Sequence, residues 1–166
     1  HLANSLFKLE MKDDWGLVRF EQYETLLGKA GLKQFKQLAQ VQWQKVPTDN
    51  TKTKDRFARN EYFGITWLME RIAKLEGDVD SLVAIKKRDL SCAYRYYEIA
   101  HIYAEAKRDD EALQWAQQGH QIFEKNPDSR LTEFLITAYQ HRKQHDKAIQ
   151  LAWQQFTQQP SLAHYQ

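Results

Sequence analysis

The chain has 166 residues, 42% hydrophobic and 28% charged, and its 24 Lys and Arg stand against 22 Asp and Glu, so a net charge of +2 supplies no strong electrostatic address to nucleic acid or membrane. Six glycines and three prolines are too few for a turn-rich β fold, one cysteine (Cys92) excludes an internal disulfide, and no apolar run approaches the ~18 residues of a membrane span. The length suits one elongated helical domain, and a reducing, cytoplasmic compartment is the expectation. The first residue is His1 rather than Met and no charged-then-apolar leader follows, which reads as a fragment of something longer or a chain that has lost its start.

In chain order, Leu6, Phe7 and Met11 predict a short helix over residues 4–11, and Asp13-Asp14 before Trp15 reads as the entry to a longer one. Leu17, Phe20, Tyr23, Leu27 and Ala30 recur at helical steps as one buried stripe, and Gly31 is expected to end that helix in the left-handed conformation. Phe35, Leu38, Ala39 and Trp43 continue in a further helix, so residues 15–46 read as a helical hairpin, broken at Pro47 and the polar run Thr48 to Lys54. A long helix follows from about Asp55 to Glu76 with Ile65, Leu68, Ile72 and Leu75 inward. Gly77-Asp78 stops it and caps a shorter helix with Leu82, Val83 and Ile85. After Pro160, Ser161 is expected to cap a last turn whose Leu162 and Tyr165 cover the open end.

Residues 91–160 carry one pattern twice, 36 positions apart. Tyr96, Ile99, Ala100, Tyr103, Ala112 and Ala116 stand where a tetratricopeptide-type helix pair has its W-x2-L-G-x2-Y and A-x3-F positions, and Thr132, Leu135, Ile136, Tyr139, Ala148 and Ala152 repeat them. Small residues at these places let paired helices approach to ~8–10 Å. The turns Lys107-Arg108-Asp109-Asp110 and Lys143-Gln144-His145-Asp146 each offer an Asp as an N-cap, and three extra residues before Pro127 predict a longer second helix in the first copy. Residues 55–88 read as a degenerate third pair. The fold class is therefore all-α, a right-handed superhelical array of antiparallel helix pairs, with a hairpin region over 1–54 and repeats over 55–166 packed as one continuous domain.

Several phrases carry a family resemblance. Gly77-Asp78-Val79-Asp80-Ser81-Leu82-Val83-Ala84, Asp89-Leu90-Ser91, Arg108 to Ala116, Arg130 to Leu135 and Pro160-Ser161-Leu162 resemble the C-terminal helical region of bacterial SWIM-type zinc-finger proteins, over at least residues 65–166. In such proteins an upstream C-x-C…C-x-H arrangement holds the zinc. This chain has no such motif, so the resemblance transfers no zinc ligand. The resemblance implies no catalytic activity, and the array of helix pairs is expected to serve as a protein-interaction or scaffold domain of a larger bacterial zinc-finger protein, binding a protein partner or holding a neighbouring domain.

The residues themselves offer no catalytic set. The glycines form no phosphate loop, His141 and His145 are spaced as metal ligands without an acidic or Cys partner, and Cys92 and His101 stand about two and a half helical turns apart. No enzyme activity, metal or cofactor is expected. The candidate partner groove has Tyr94, Tyr97, His101 and Glu105 as one wall and Arg130, Glu133, Thr137 and His141 as the next, on the face that such repeats use for partners. The alternative is an accessory nucleic-acid surface built on Lys52-Thr53-Lys54-Asp55-Arg56 and Lys86-Lys87-Arg88, although such runs are usually solvated faces.

Overall fold

The computed structural model describes residues 1–13, 16–47 and 56–158, with side chains over 62–157 in the last stretch. Asp14, Trp15, the run from Thr48 to Asp55 and the expected closing turn at Ser161 to Tyr165 lie outside the described residues. All described regular structure is helical: α1 (Leu2–Lys12), a 3-10 turn (Phe20–Tyr23), α2 (Glu24–Trp43), α3 (Arg56–Glu76), α4 (Val79–Lys86), α5 (Ala93–Glu105), α6 (Asp109–Ile122), α7 (Ser129–His141) and α8 (His145–Gln158). These form two compact units, His1–Arg88 and Asp89–Gln166. The division falls well after the expected boundary at residue 54, because α3 packs on α2 and α4 on α3.

In the first unit, α1 buries Ala3, Leu6 and Glu10, while Phe7 and Met11 are half-buried. Phe20 and Phe35 are fully buried and stack at 5.1 Å, and Phe7 meets Phe35 edge-on at 5.7 Å. A charged cluster closes this core. Arg71 of α3 donates to Glu10 Oε1 at 2.6 Å and to Glu21 Oε1 at 2.7 Å, with a second contact to Glu21 Oε2, and Phe20 N donates to Glu10 Oε2 at 3.1 Å. The Arg71 guanidinium also lies 4.5 Å from the Trp67 ring centre and 5.2 Å from that of Phe20. Burial pushes the Glu10 carboxyl above its ordinary range and Arg71 only partly offsets it. For Glu21, burial works in the same direction, but the Arg71 hydrogen bond, a backbone hydrogen bond and the charges of Arg71 and Arg19 together outweigh it and hold the carboxyl low.

The expected hairpin over 15–46, turning at Gly31, gives way to two helical segments that meet at a kink at Gly28. Gly28 has φ 59° and ψ 179°, a conformation essentially confined to glycine, and Gly31 lies inside the helix instead of ending it. Residues 17–19 precede the first turn, so Leu17 is exposed, and the kink carries Ala30 to the surface, while Leu27, Phe35, Ala39 and Trp43 stay buried. On α3, Ile65, Leu68 and Ile72 face inward as expected. Leu75 is exposed and Ala73 takes the last inward place.

One turn recurs at α3–α4, α5–α6 and α7–α8. Its left-handed residue is Gly77 (φ 66°), Lys107 (φ 61°) or Lys143 (φ 58°). Each turn closes with the same six-residue bond: Asp78 N to Ala73 O, Arg108 N to Tyr103 O and Gln144 N to Tyr139 O, all at 2.9 Å. Five residues beyond each left-handed position, Leu82, Ala112 and Ala148 are buried. Residues 56–86 therefore share the turn and register of the two later pairs.

The second unit centres on Tyr96, Ala100, Ala116, Leu131 and Leu135, with Leu151 from α8. Gly119 is packed so closely that an added Cβ would lie 2.3 Å from Tyr96 Cβ. Asp78 caps α4 through Ser81 N at 2.9 Å, and Asp128 caps α7 through Arg130 N at 3.0 Å. At α6 the expected Asp cap does not form. Arg108 occupies the cap position without a side-chain bond, and Asp109, Asp110 and Glu111 lie in the first turn, where they favour the helix dipole. The first copy also lacks the longer second helix: α6 and α8 each span 14 described residues, and the extra residues form the turn after Ile122. Ala116 is buried against α7, whereas its counterpart Ala152 is exposed, since no further described helix covers it.

Candidate functional site

A cleft of 740 Å³ opens in the second unit between α5 and α7, with the start of α6 at one end. It includes Tyr97, Arg130, Glu133, Thr137 and His141 of the anticipated groove. The predicted α7 wall, Arg130, Glu133, Thr137 and His141, lines the cleft in full, whereas of the predicted α5 wall only Tyr97 does, and Tyr94, His101 and Glu105 are not among its lining residues.

Along α5 the side chains form a ladder. The Arg130 guanidinium lies 4.1 Å from the Tyr94 ring centre, Tyr94 stacks on Tyr97 at 5.9 Å, and Tyr97 stacks on His101 at 5.8 Å with the planes only 10° apart. Phe134 meets Tyr97 edge-on at 6.3 Å, and His101 Nε2 stands 3.5 Å from Glu105 Oε1. Asp128 fixes Arg130 from below, accepting from Nε at 3.1 Å and from Nη2 at 2.9 Å. That hydrogen bond holds the Asp128 carboxyl below its usual range and raises Arg130.

Tyr97 faces both ways. It is half-buried and packs on the Ala100–Leu135 core, which departs from a side chain committed to the groove alone. The Thr137 hydroxyl donates to the Glu133 carbonyl at 3.0 Å, so its proton is spent within its own helix. Arg142, which sequence reasoning missed, reaches from the end of α7 to Asp110 Oδ1 at 2.7 Å and fixes that end of the cleft. Phe134 and Leu113 were missed too. Phe134 was legible as the residue four after Arg130, whereas Leu113 enters only because α6 folds back across the cleft end.

Other sequence candidates dissolve. His141 ends α7 and His145 begins α8, with the left-handed Lys143 between, so they share no helical face. Among the described residues no group of three or more His, Cys, Asp and Glu side chains is arranged to hold a metal ion. The basic run at 86–88 is not simply solvated: Lys86 pairs with Glu70 at 3.0 Å, and Arg88 lies 3.8 Å from the Trp43 ring centre and donates to the Val46 carbonyl at 3.1 Å. Lys52 to Asp55 lie outside the described residues. No described helix is long and apolar enough to cross a membrane.

The sequence profile of a family of unknown function, DUF6880, matches residues 1–165. The chain belongs to that family. No curated protein and no solved structure matches it. The DUF6880 match runs through both compact units.

Proposed function

We propose that this chain is a non-catalytic interaction domain, a tetratricopeptide-like array in a larger bacterial, cytoplasmic protein, and that the α5–α7 cleft holds an extended or helical segment of a partner protein or neighbouring domain. The observation that carries this reading is the Arg130–Tyr94–Tyr97–His101 ladder, an aromatic shelf with its cation already fixed by Asp128. Aromatic and Arg side chains held in place before a partner arrives lose little freedom on binding and tend to dominate interface energy. The turn shared by three helix pairs supports the array. The phrases shared with SWIM-type proteins support the larger context. A nucleic-acid surface is the weaker reading, because Lys86 and Arg88 are engaged within the first unit.

A photo-crosslinking residue at exposed Thr137, introduced into the protein in cells, tests the cleft. The expected product is a discrete crosslinked protein whose yield falls with His101→Ala or Arg130→Ala, each weakening binding by over ~1 kcal/mol. His101 is largely exposed, so stability holds in His101→Ala, whereas Arg130→Ala also gives up the Asp128 pair and Tyr97→Ala lowers stability and binding together. Crosslinks that ignore both exposed substitutions overturn the reading. Crosslinks to nucleic acid that vanish steeply with salt favour the alternative.

A further inference from the structure

The first unit carries a second groove of different character. It is a 580 Å³ opening between α2 and α4 over α3, independent of the aromatic cleft. Its floor is apolar, with Ile72, Ala73 and Ile85 buried and Leu32 half-buried. Along its α2 rim stand Lys29, Lys33 and Lys36, spaced by four and three residues and so stacked on one helical face. Lys36 pairs with Glu76 at 2.6 Å. Lys29 and Lys33 are exposed, and no acidic group among the described residues pairs with either.

Like charges four apart on a helix repel, and here the repulsion sits beside an open apolar trough. Phosphate backbones would use the lysines but leave the floor wet, whereas an uncharged apolar helix would fill the floor but leave the lysines uncompensated. One chemistry satisfies both. We propose that this groove binds an acidic amphipathic helix of a partner protein, its apolar side chains on Leu32, Ile72 and Ile85 and its carboxylates toward Lys29 and Lys33. The rim from Lys29 to Gln40 covers about three helical turns, ~16 Å, which sets the length of the segment.

The test uses the full chain and a fluorescein-labelled helical peptide about three turns long, with leucines on one face flanked by glutamates, read by fluorescence polarisation. Saturable binding is expected, weakened at least ten-fold by Lys29→Glu with Lys33→Glu and by Leu32→Asn, while the same peptide with lysines replacing the glutamates does not bind. The charge reversals are at exposed positions, so unchanged helical circular dichroism checks that the fold is kept. Absent binding, binding indifferent to the charge reversal, or equal binding of the basic peptide overturns the proposal. So does preference for a single-stranded oligonucleotide, or a concentration-dependent dimer in sedimentation that Leu32→Asn dissolves, which would make a second copy the occupant.

Discussion

The two units solve the same packing problem with different means. In the second, helices approach because small residues stand at the crossings: Ala100, Ala112, Ala116 and Gly119 are all buried. In the first, three helical segments meet around a charged group, with Glu10 and Glu21 joined through Arg71 between Trp67 and Phe20. Small-residue packing tolerates loss of a polar partner because it has none. A buried ion pair does not, since removing one partner strands the other without solvent or counter-charge.

The largest test of that contrast is Arg71→Ala. It leaves the Glu10 side chain, only 3% exposed, without its cation, and the expected cost is about 3–5 kcal/mol in urea unfolding. If Arg71→Ala with Glu10→Leu recovers most of the loss, the penalty lies in the stranded carboxylate rather than in lost contacts. The counterpart in the second unit is Gly119→Ala, whose new Cβ would meet Tyr96 Cγ at 2.6 Å and Leu131 Cδ2 at 3.1 Å. A destabilisation of about 1–3 kcal/mol is expected, and a melting temperature equal to the parent's would show that the crossing relaxes freely.

That glycine marks where the sequence was legible and where it was not. The 36-residue repeat exposed the crossings at Ala100, Ala112 and Ala148, because small residues at that fixed spacing serve close helix packing and little else. Gly119 lies three residues past Ala116 and in the sequence is only one of six scattered glycines. The α7 side of the cleft, Arg130, Glu133, Thr137 and His141, follows from helical steps, since a face is a local property, but of the α5 residues named with it only Tyr97 reaches the cleft. The floor of the cleft was not legible, because Leu113 and the Arg142–Asp110 pair depend on how α6 folds back. Glu10 was hidden for the same reason: a carboxylate on an otherwise apolar stripe declares its role only when Arg71, 61 residues away, arrives beside it. The break in α2 falls at Gly28 rather than at Gly31, as both glycines suit it and only the backbone distinguishes them.

Acid titration sharpens the contrast in sign. The folded Glu10 carboxyl lies above the ordinary value of 4.5, so its contribution is complete below about that pH and is lost as pH rises through the raised value. Glu10→Gln should therefore gain stability relative to the parent as pH rises from about 4.5 toward neutrality. Asp128 is depressed below 3.8, chiefly by the Arg130 hydrogen bond, so its contribution is present above that pH and lost as pH falls further. Asp128→Asn should show its deficit at neutral pH and lose it in acid. Parallel unfolding curves for parent and variants from about pH 3 to neutrality would contradict both directions.

The smallest effect concerns the shared turn. The first unit places Gly77 at the left-handed position, and the second places Lys107 and Lys143 there, where a side chain crowds the following carbonyl. Lys107→Gly and Lys143→Gly should each stabilise by less than about 1 kcal/mol, the relief being partly offset by the greater freedom of glycine in the unfolded chain. Gly77→Ala, with no atom within 4 Å of the new Cβ, should destabilise through backbone conformation alone.

The exposed thiol of Cys92 stands at the N-cap of α5, two residues before the first rung of the aromatic ladder. As the chain's only cysteine, it accepts one maleimide dye per molecule with no engineered residue. An environment-sensitive fluorophore attached there would sit beside the cleft without replacing any of its lining side chains. A ligand settling on the Tyr94 end would then change emission colour or lifetime, giving an optical readout of occupancy in the native sequence.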